Sequence, residues 1–131
     1  FFWIYKYHPH QNVYFNFLAG QKPHLNYEID YWGLSNRHAL EYIGENDNRN
    51  QIRVSNISDT SLFLNFDILD KKVKERLIYS SSILNSDYLI DNNYFFNPIN
   101  KKRRKKMNNF NLYYQLYVDD ILVTTIYRKK S

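Results

Sequence analysis

The sequence predicts an α/β domain: a small mixed sheet with two or more packed helices, an extended aromatic N-terminal arm and a C-terminal antiparallel hairpin. Three observations point there. An amphipathic helical stripe is followed by short strand-like runs, a strand-then-helix alternation recurs in the middle, and two alternating segments at the end are joined by Asp119-Asp120. A chain of 131 residues has room for one hydrophobic core. The division expected is an arm over residues 1–33 and a domain over 34–131.

The first five residues, Phe1-Phe2-Trp3-Ile4-Tyr5, carry no initiator Met and no signal-peptide pattern, as expected of a piece cut from a longer chain. They read either as the last turn of a membrane helix, where Trp and Tyr gather, or as a buried strand. Residues 5–32 are aromatic, rich in Asn and His, and broken by Pro9, Gly20 and Pro23, so they read as an extended arm with turns. Ser35 is an expected N-cap with Leu34 stapling onto Ala39. The helix over residues 36–43 carries Ala39, Leu40 and Ile43 on one stripe, and Gly44 ends it. After a polar loop, residues 51–57 alternate around Ile52 and Val54 as a strand. Ser58 or Asp59 then caps a second helix bearing Leu62, Phe63, Phe66 and Leu69. Residues 76–80 and 87–91 are further short strands. Leu112, Tyr114, Leu116 and Val118, then Ile121, Val123, Thr125 and Tyr127, mark the hairpin.

Composition excludes several chemistries. Without cysteine there is no disulfide framework, thiolate metal site or Cys nucleophile. No apolar run reaches the roughly 18 to 20 residues needed to cross a bilayer. The net charge of +5 favours contact with anions, whether phospholipid, polyprenyl phosphate or nucleic acid. The aromatic share of 18%, with 13 tyrosines, suits half-buried surfaces that present a polar tip.

Two segments carry specific chemistry. In Tyr27-Glu28-Ile29-Asp30-Tyr31-Trp32 an extended backbone sends Glu28 and Asp30 to one face and the tyrosines to the other. Two carboxylates beside rings can hold a sugar or act as an acid and base pair; equally, the acids can bond loop backbone while Trp32 fills the core. The run Lys101-Lys102-Arg103-Arg104-Lys105-Lys106 reads as a solvated loop, or as a contact for anionic lipid and polyprenyl phosphate, where each cation adds roughly 1 kcal/mol, or, least favoured, for nucleic acid. His8, His10, His24 and His38 have no standard metal spacing, and His38 is expected to be exposed early on the first helix.

The run His8-Pro9-His10-Gln11-Asn12-Val13-Tyr14-Phe15-Asn16, followed by Asn26-Tyr27-Glu28-Ile29-Asp30-Tyr31-Trp32-Gly33-Leu34-Ser35, resembles a signature of a bacterial glycosyltransferase family. These are the dolichyl-phosphate-mannose-protein mannosyltransferase-like enzymes of the GT-C superfamily. In that family a His-Pro-Tyr-Gln-Tyr-Val-Tyr-Phe-Asn-like run follows the last membrane helix, and a Tyr-Glu-Leu-Asp-Tyr-Trp-Gly-Leu-Ser-like run leads into a small soluble domain. The ending, Val118-Asp119-Asp120-Ile121 to Ile126-Tyr127-Arg128-Lys129, is similar to the family's closing hairpin and basic tail. His10 stands where Tyr is usual, Phe17 where Pro is common and Asp120 where the turn Gly is usual; residues 45–110 match in pattern alone.

The resemblance implies an accessory C-terminal domain of a membrane transferase that moves a sugar from a polyprenyl-phosphate donor, on the extracytoplasmic, periplasmic face. Its partner is then the membrane catalytic domain of the same chain, with polyprenyl-phosphate sugar or anionic lipid near by. The family's essential acidic residues lie in an early membrane-domain loop, so the resemblance gives no residue here a catalytic role. It implies no cofactor in this segment, and a divalent metal only in the parent. Residues Tyr27, Glu28, Asp30, Tyr31 and Trp32 are the expected ligand or acceptor contacts. The rival expectation is a free-standing basic α/β module that binds nucleic acid or anionic lipid.

Overall fold

The structure is a computed structural model that describes residues 2–8, 34–58, 61–92 and 104–131. The chain forms α1 (Phe2–Lys6), α2 (Leu34–Asn46), β1 (Ile52–Asn56), α3 (Leu62–Asp67), α4 (Lys71–Lys74), β2 (Leu77–Tyr79), β3 (Tyr88–Asp91), β4 (Phe110–Val118) and β5 (Ile121–Lys129). The sheet is mixed and ordered β2-β1-β3-β5-β4. Strand β1 runs parallel to β2 and β3, while β5 runs antiparallel to β3 and β4. The chain is therefore an α/β domain, in which α2, β1, α3, β2, β3 and the closing hairpin follow in the order the sequence predicts, with α1 and α4 in addition.

Period-two alternation sorts the core into two layers. Ile52 and Val54 of β1, Tyr88 and Ile90 of β3, and Ile126 of β5 pack with Ala39, Leu40 and Ile43 of α2 and Leu62 and Phe66 of α3. Leu89 points the other way, joining Ile57, Ile83 and Phe110, with Met107 and Tyr127 packed against them. Strand β3, with a neighbour on each side and both faces covered, is buried at all four residues. Full burial of each such Ile or Leu contributes about 1.5 to 3 kcal/mol.

Several local expectations are corrected. Helix α2 is longer than residues 36–43, and Gly44 lies within it instead of ending it. A Cβ on Gly44 would stand 2.5 Å from Cγ1 of Val73, so the glycine is there for the close approach of α4. Ser35 is not the residue before the helix but lies inside it, fully buried. The second helix stops at Asp67, leaving Leu69 outside it. The chain then turns through α4, which the sequence reading missed. Ser61 precedes α3, and Ser58 is buried elsewhere; Asp59 lies outside the described residues. Residues 2–6 form a helix, which removes the strand reading and shortens the extended arm at its start.

The hairpin turn has the expected backbone. Asp119 and Asp120 have φ of 49° and 62°, the paired positive values of a tight two-residue turn. Trp3 Nε1 donates to Asp119 Oδ2 at 3.1 Å, and Trp3 and Tyr7 pack on Val118 and Val123, so α1 docks on the hairpin tip. The alternation expected along β4 is interrupted by irregularities between Leu112 and Tyr114 and between Leu116 and Tyr117. As a result Leu112 is exposed, whereas the consecutive Tyr113 and Tyr114 both pack against the core.

Candidate functional site

The parallel strands give the domain two distinct ends. At their amino ends, Asp47 and Arg49 precede β1, Arg76 precedes β2 and Asp87 precedes β3. Arg49 Nη2 donates to Asp47 Oδ2 at 2.7 Å, and its Nη1 donates to Asp87 Oδ1 at 3.1 Å. Tyr88 Oη donates to Asp47 Oδ2 at 2.9 Å, and Asp87 Oδ2 accepts the Arg53 backbone N–H at 2.8 Å. Arg76 donates to the carbonyls of Asp47 and Gly44, engaging the last turn of α2. The Arg49 guanidinium holds the Asp47 carboxyl well below the usual carboxylate range, against the opposing effect of burial. Burial, and then the bond to Asp47, pushes the Tyr88 hydroxyl up. A general base works best with a pKa near the operating pH. A carboxylate held this low is a poor base, and the cluster acts as a clamp between three strand starts and one helix end.

At the carboxyl ends of β1 and β3 lies a buried polar relay. Ser58 Oγ donates to Asn92 Oδ1 at 2.7 Å, Asn92 Nδ2 donates to Ser35 Oγ at 2.8 Å, and Ser35 Oγ donates to Thr124 Oγ1 at 3.1 Å. Thr124 Oγ1 in turn donates to the Asp91 carbonyl at 3.3 Å. The relay joins the β1 loop, α2, β3 and β5, and its side chains satisfy one another in a region closed to water.

Beside it, at the carboxyl ends of β1 and β2, opens a polar crevice of about 450 Å³. Asn56, Ser61, Tyr79, Ser81 and Lys106 line it, with Phe63 at its wall. The crevice lies where ligands commonly sit in open α/β sheets, outside the carboxyl ends of parallel strands. The sequence held one signal of it: three serines, Ser80 to Ser82, follow directly on a strand-like run.

Of the residues singled out in the sequence, Tyr27, Glu28, Asp30, Tyr31 and Trp32 lie outside the described residues, as do Lys101, Lys102 and Arg103. Arg104 pairs with Asp91 through Nε at 3.0 Å and Nη2 at 2.8 Å, a two-point contact in which the carboxylate is 2% exposed. That pair pins the end of the basic run to the sheet. Lys105 is exposed, and Lys106 reaches the crevice. His38 is half-buried, not exposed as expected: its ring stacks on Tyr114 at 6.1 Å, and burial lowers its pKa. Among the described residues no three His, Cys, Asp or Glu side chains are grouped to hold a metal ion. No helix among them is long and apolar enough to cross a membrane.

Fold and site together define a small α/β domain with α2, α3 and α4 packed on one face of a mixed sheet and a polar crevice at the carboxyl edge. The chain matches no family model, no curated protein and no solved structure at a significant level.

Proposed function

We propose that this chain is the accessory C-terminal domain of a polyprenyl-phosphate-sugar-dependent membrane glycosyltransferase, packing over the catalytic membrane domain and shaping its acceptor side. The observation that carries this reading is the order of two blocks, residues 8–16 and 26–35, immediately before an α/β domain that closes in a Val-Asp hairpin. The docking of α1 supports it. Trp3 and Tyr7 hold the helix to the hairpin, while Phe2 and Tyr5 remain 79% and 85% exposed, as suits a helix that continues toward an apolar neighbour. Glycosyl transfer itself is assigned to carboxylates of the parent, and the domain's role is one of positioning.

The test is the coding sequence upstream of Phe1. Several apolar stretches of about 20 residues, with an acidic pair in the first loop, are expected. A start codon close to Phe1 would overturn the reading and leave the basic module as its replacement. That module would bind nucleic acid or anionic lipid through the run ending in Lys106, with nucleic-acid affinity falling by several powers of ten between low and moderate salt.

A further inference from the structure

We infer that the crevice between the carboxyl ends of β1 and β2 is a binding site for a phosphorylated monosaccharide. Several polar side chains at this crevice make no hydrogen bond to another described residue. Ser61 stands at the N-cap of α3, yet its side chain makes no capping bond. Neither the Ser81 hydroxyl, the Tyr79 hydroxyl nor the Lys106 ammonium bonds to another described residue. These four groups converge on one concavity of about 450 Å³, within the roughly 300 to 1,000 Å³ of small-ligand sites. Two nearby hydroxyls that do not line the crevice, those of Ser80 and Ser86, are by contrast tied to the Ser82 carbonyl.

The chemistry of the lining selects the ligand class. Hydroxyl groups that both donate and accept match the vicinal hydroxyls of a pyranose, which need partners of both kinds. The ring of Tyr79 stands steeply inclined to the rings of Phe63, at 6.2 Å, and Phe66, at 6.3 Å, and remains 45% exposed. A braced, half-open aromatic ring presents an apolar face to the C–H side of a sugar at little conformational cost. One exposed cation, Lys106, at the same rim calls for one anionic substituent and fits a phosphate as a point charge. An apolar ligand would leave the hydroxyls unpaired. A bare anion would leave the ring unused.

This site stands on the crevice alone, and the sequence upstream of Phe1 does not bear on it. The experiment is a titration of the 15N-labelled chain with glucose 1-phosphate, glucose and inorganic phosphate, followed by amide shifts. Glucose 1-phosphate is expected to saturate shifts in residues 56–58, 61–63, 79–84 and 106 while the rest of the spectrum stays still. Lys106→Ala should weaken it about tenfold. Tyr79→Ala should remove most binding, and Tyr79→Phe should weaken it far less, since Phe keeps the ring and loses one hydroxyl. Each variant's ligand-free spectrum reports whether it is folded. Inorganic phosphate binding as tightly as the sugar phosphate would overturn the proposal in favour of a simple anion site, and shifts absent or scattered over the surface would overturn it altogether.

Discussion

The amino ends of the parallel strands and the crevice at the carboxyl ends of β1 and β2 are built on opposite plans. At the amino ends every charged group named above has a partner inside the domain: Asp47 binds Arg49 and Tyr88, Asp87 binds Arg49 and the backbone of β1, and Arg76 binds two carbonyls of α2. At the carboxyl ends of β1 and β2, Ser61, Ser81, Tyr79 and Lys106 face a concavity. Both ends are polar, so composition does not separate them. What separates them is whether the polar groups satisfy one another or face outward, and this marks one end as a stabilising clamp and the other as a place for a ligand.

The largest effect should follow from breaking the clamp. Asp47→Ala leaves the Tyr88 hydroxyl and the inner face of Arg49 without their acceptor. Because Arg49 is itself 47% exposed and can turn to water, the cost is set below that of a fully buried pair, at about 2 to 3 kcal/mol. Urea unfolding reads it directly. The same carboxylate gives a pH dependence. Its folded pKa is depressed below the unfolded value of about 3.9, so the clamp contributes fully above that value and is lost as pH falls through it toward the folded value. The wild type should therefore lose stability on acidification more steeply than Asp47→Asn. Parallel acid limbs for the two would mean that Asp47 is not the titrating clamp.

A smaller effect tests how tightly this end is packed. Gly44→Ala gains about 1 kcal/mol of helix propensity, but its Cβ meets Val73 at 2.5 Å, and overpacking of a stiff β-branched side chain costs about 1 to 3 kcal/mol. The expected net is a loss of about 1 kcal/mol, relieved when Val73→Ala is added, with the coupling read from a double-mutant cycle. A gain in stability from Gly44→Ala alone would show that α4 is free to move away.

These two ends also differ in how far they could be read from the sequence. The sheet was legible because Ile52 and Val54, and the residues flanking Asp119-Asp120, obey a local period, and the two aspartates fit a turn that needs two positive φ values. Helix α4 was hidden because Lys71-Lys72-Val73-Lys74 is too short to show a period and carries one apolar residue. Gly44 was misread because a glycine at a helix end and a glycine under a crossing helix look alike until the second helix is placed. The clamp stayed hidden in a stretch that reads as a polar loop, since Asp47 finds Tyr88 across 41 positions. The crevice draws on residues at positions 56 and 58, 61–63, 79, 81–84 and 106, and no periodicity connects segments so far apart.

The smallest predicted effect compares two helix caps, one at each end. Asp70 accepts the Lys72 backbone N–H at 2.9 Å, so Asp70→Ala should cost about 1 kcal/mol. Ser61 occupies the same position before α3 without making that bond, and Ser61→Ala should change stability by less than about 0.5 kcal/mol. The pair decides what the serine is for. If both alanine variants lose equal stability, the Ser61 hydroxyl is engaged in holding α3 and the crevice loses one of its open groups. If Asp70 alone matters to folding, a hydroxyl stands where capping is available and is not used for it, which leaves the crevice as the remaining use for its polarity.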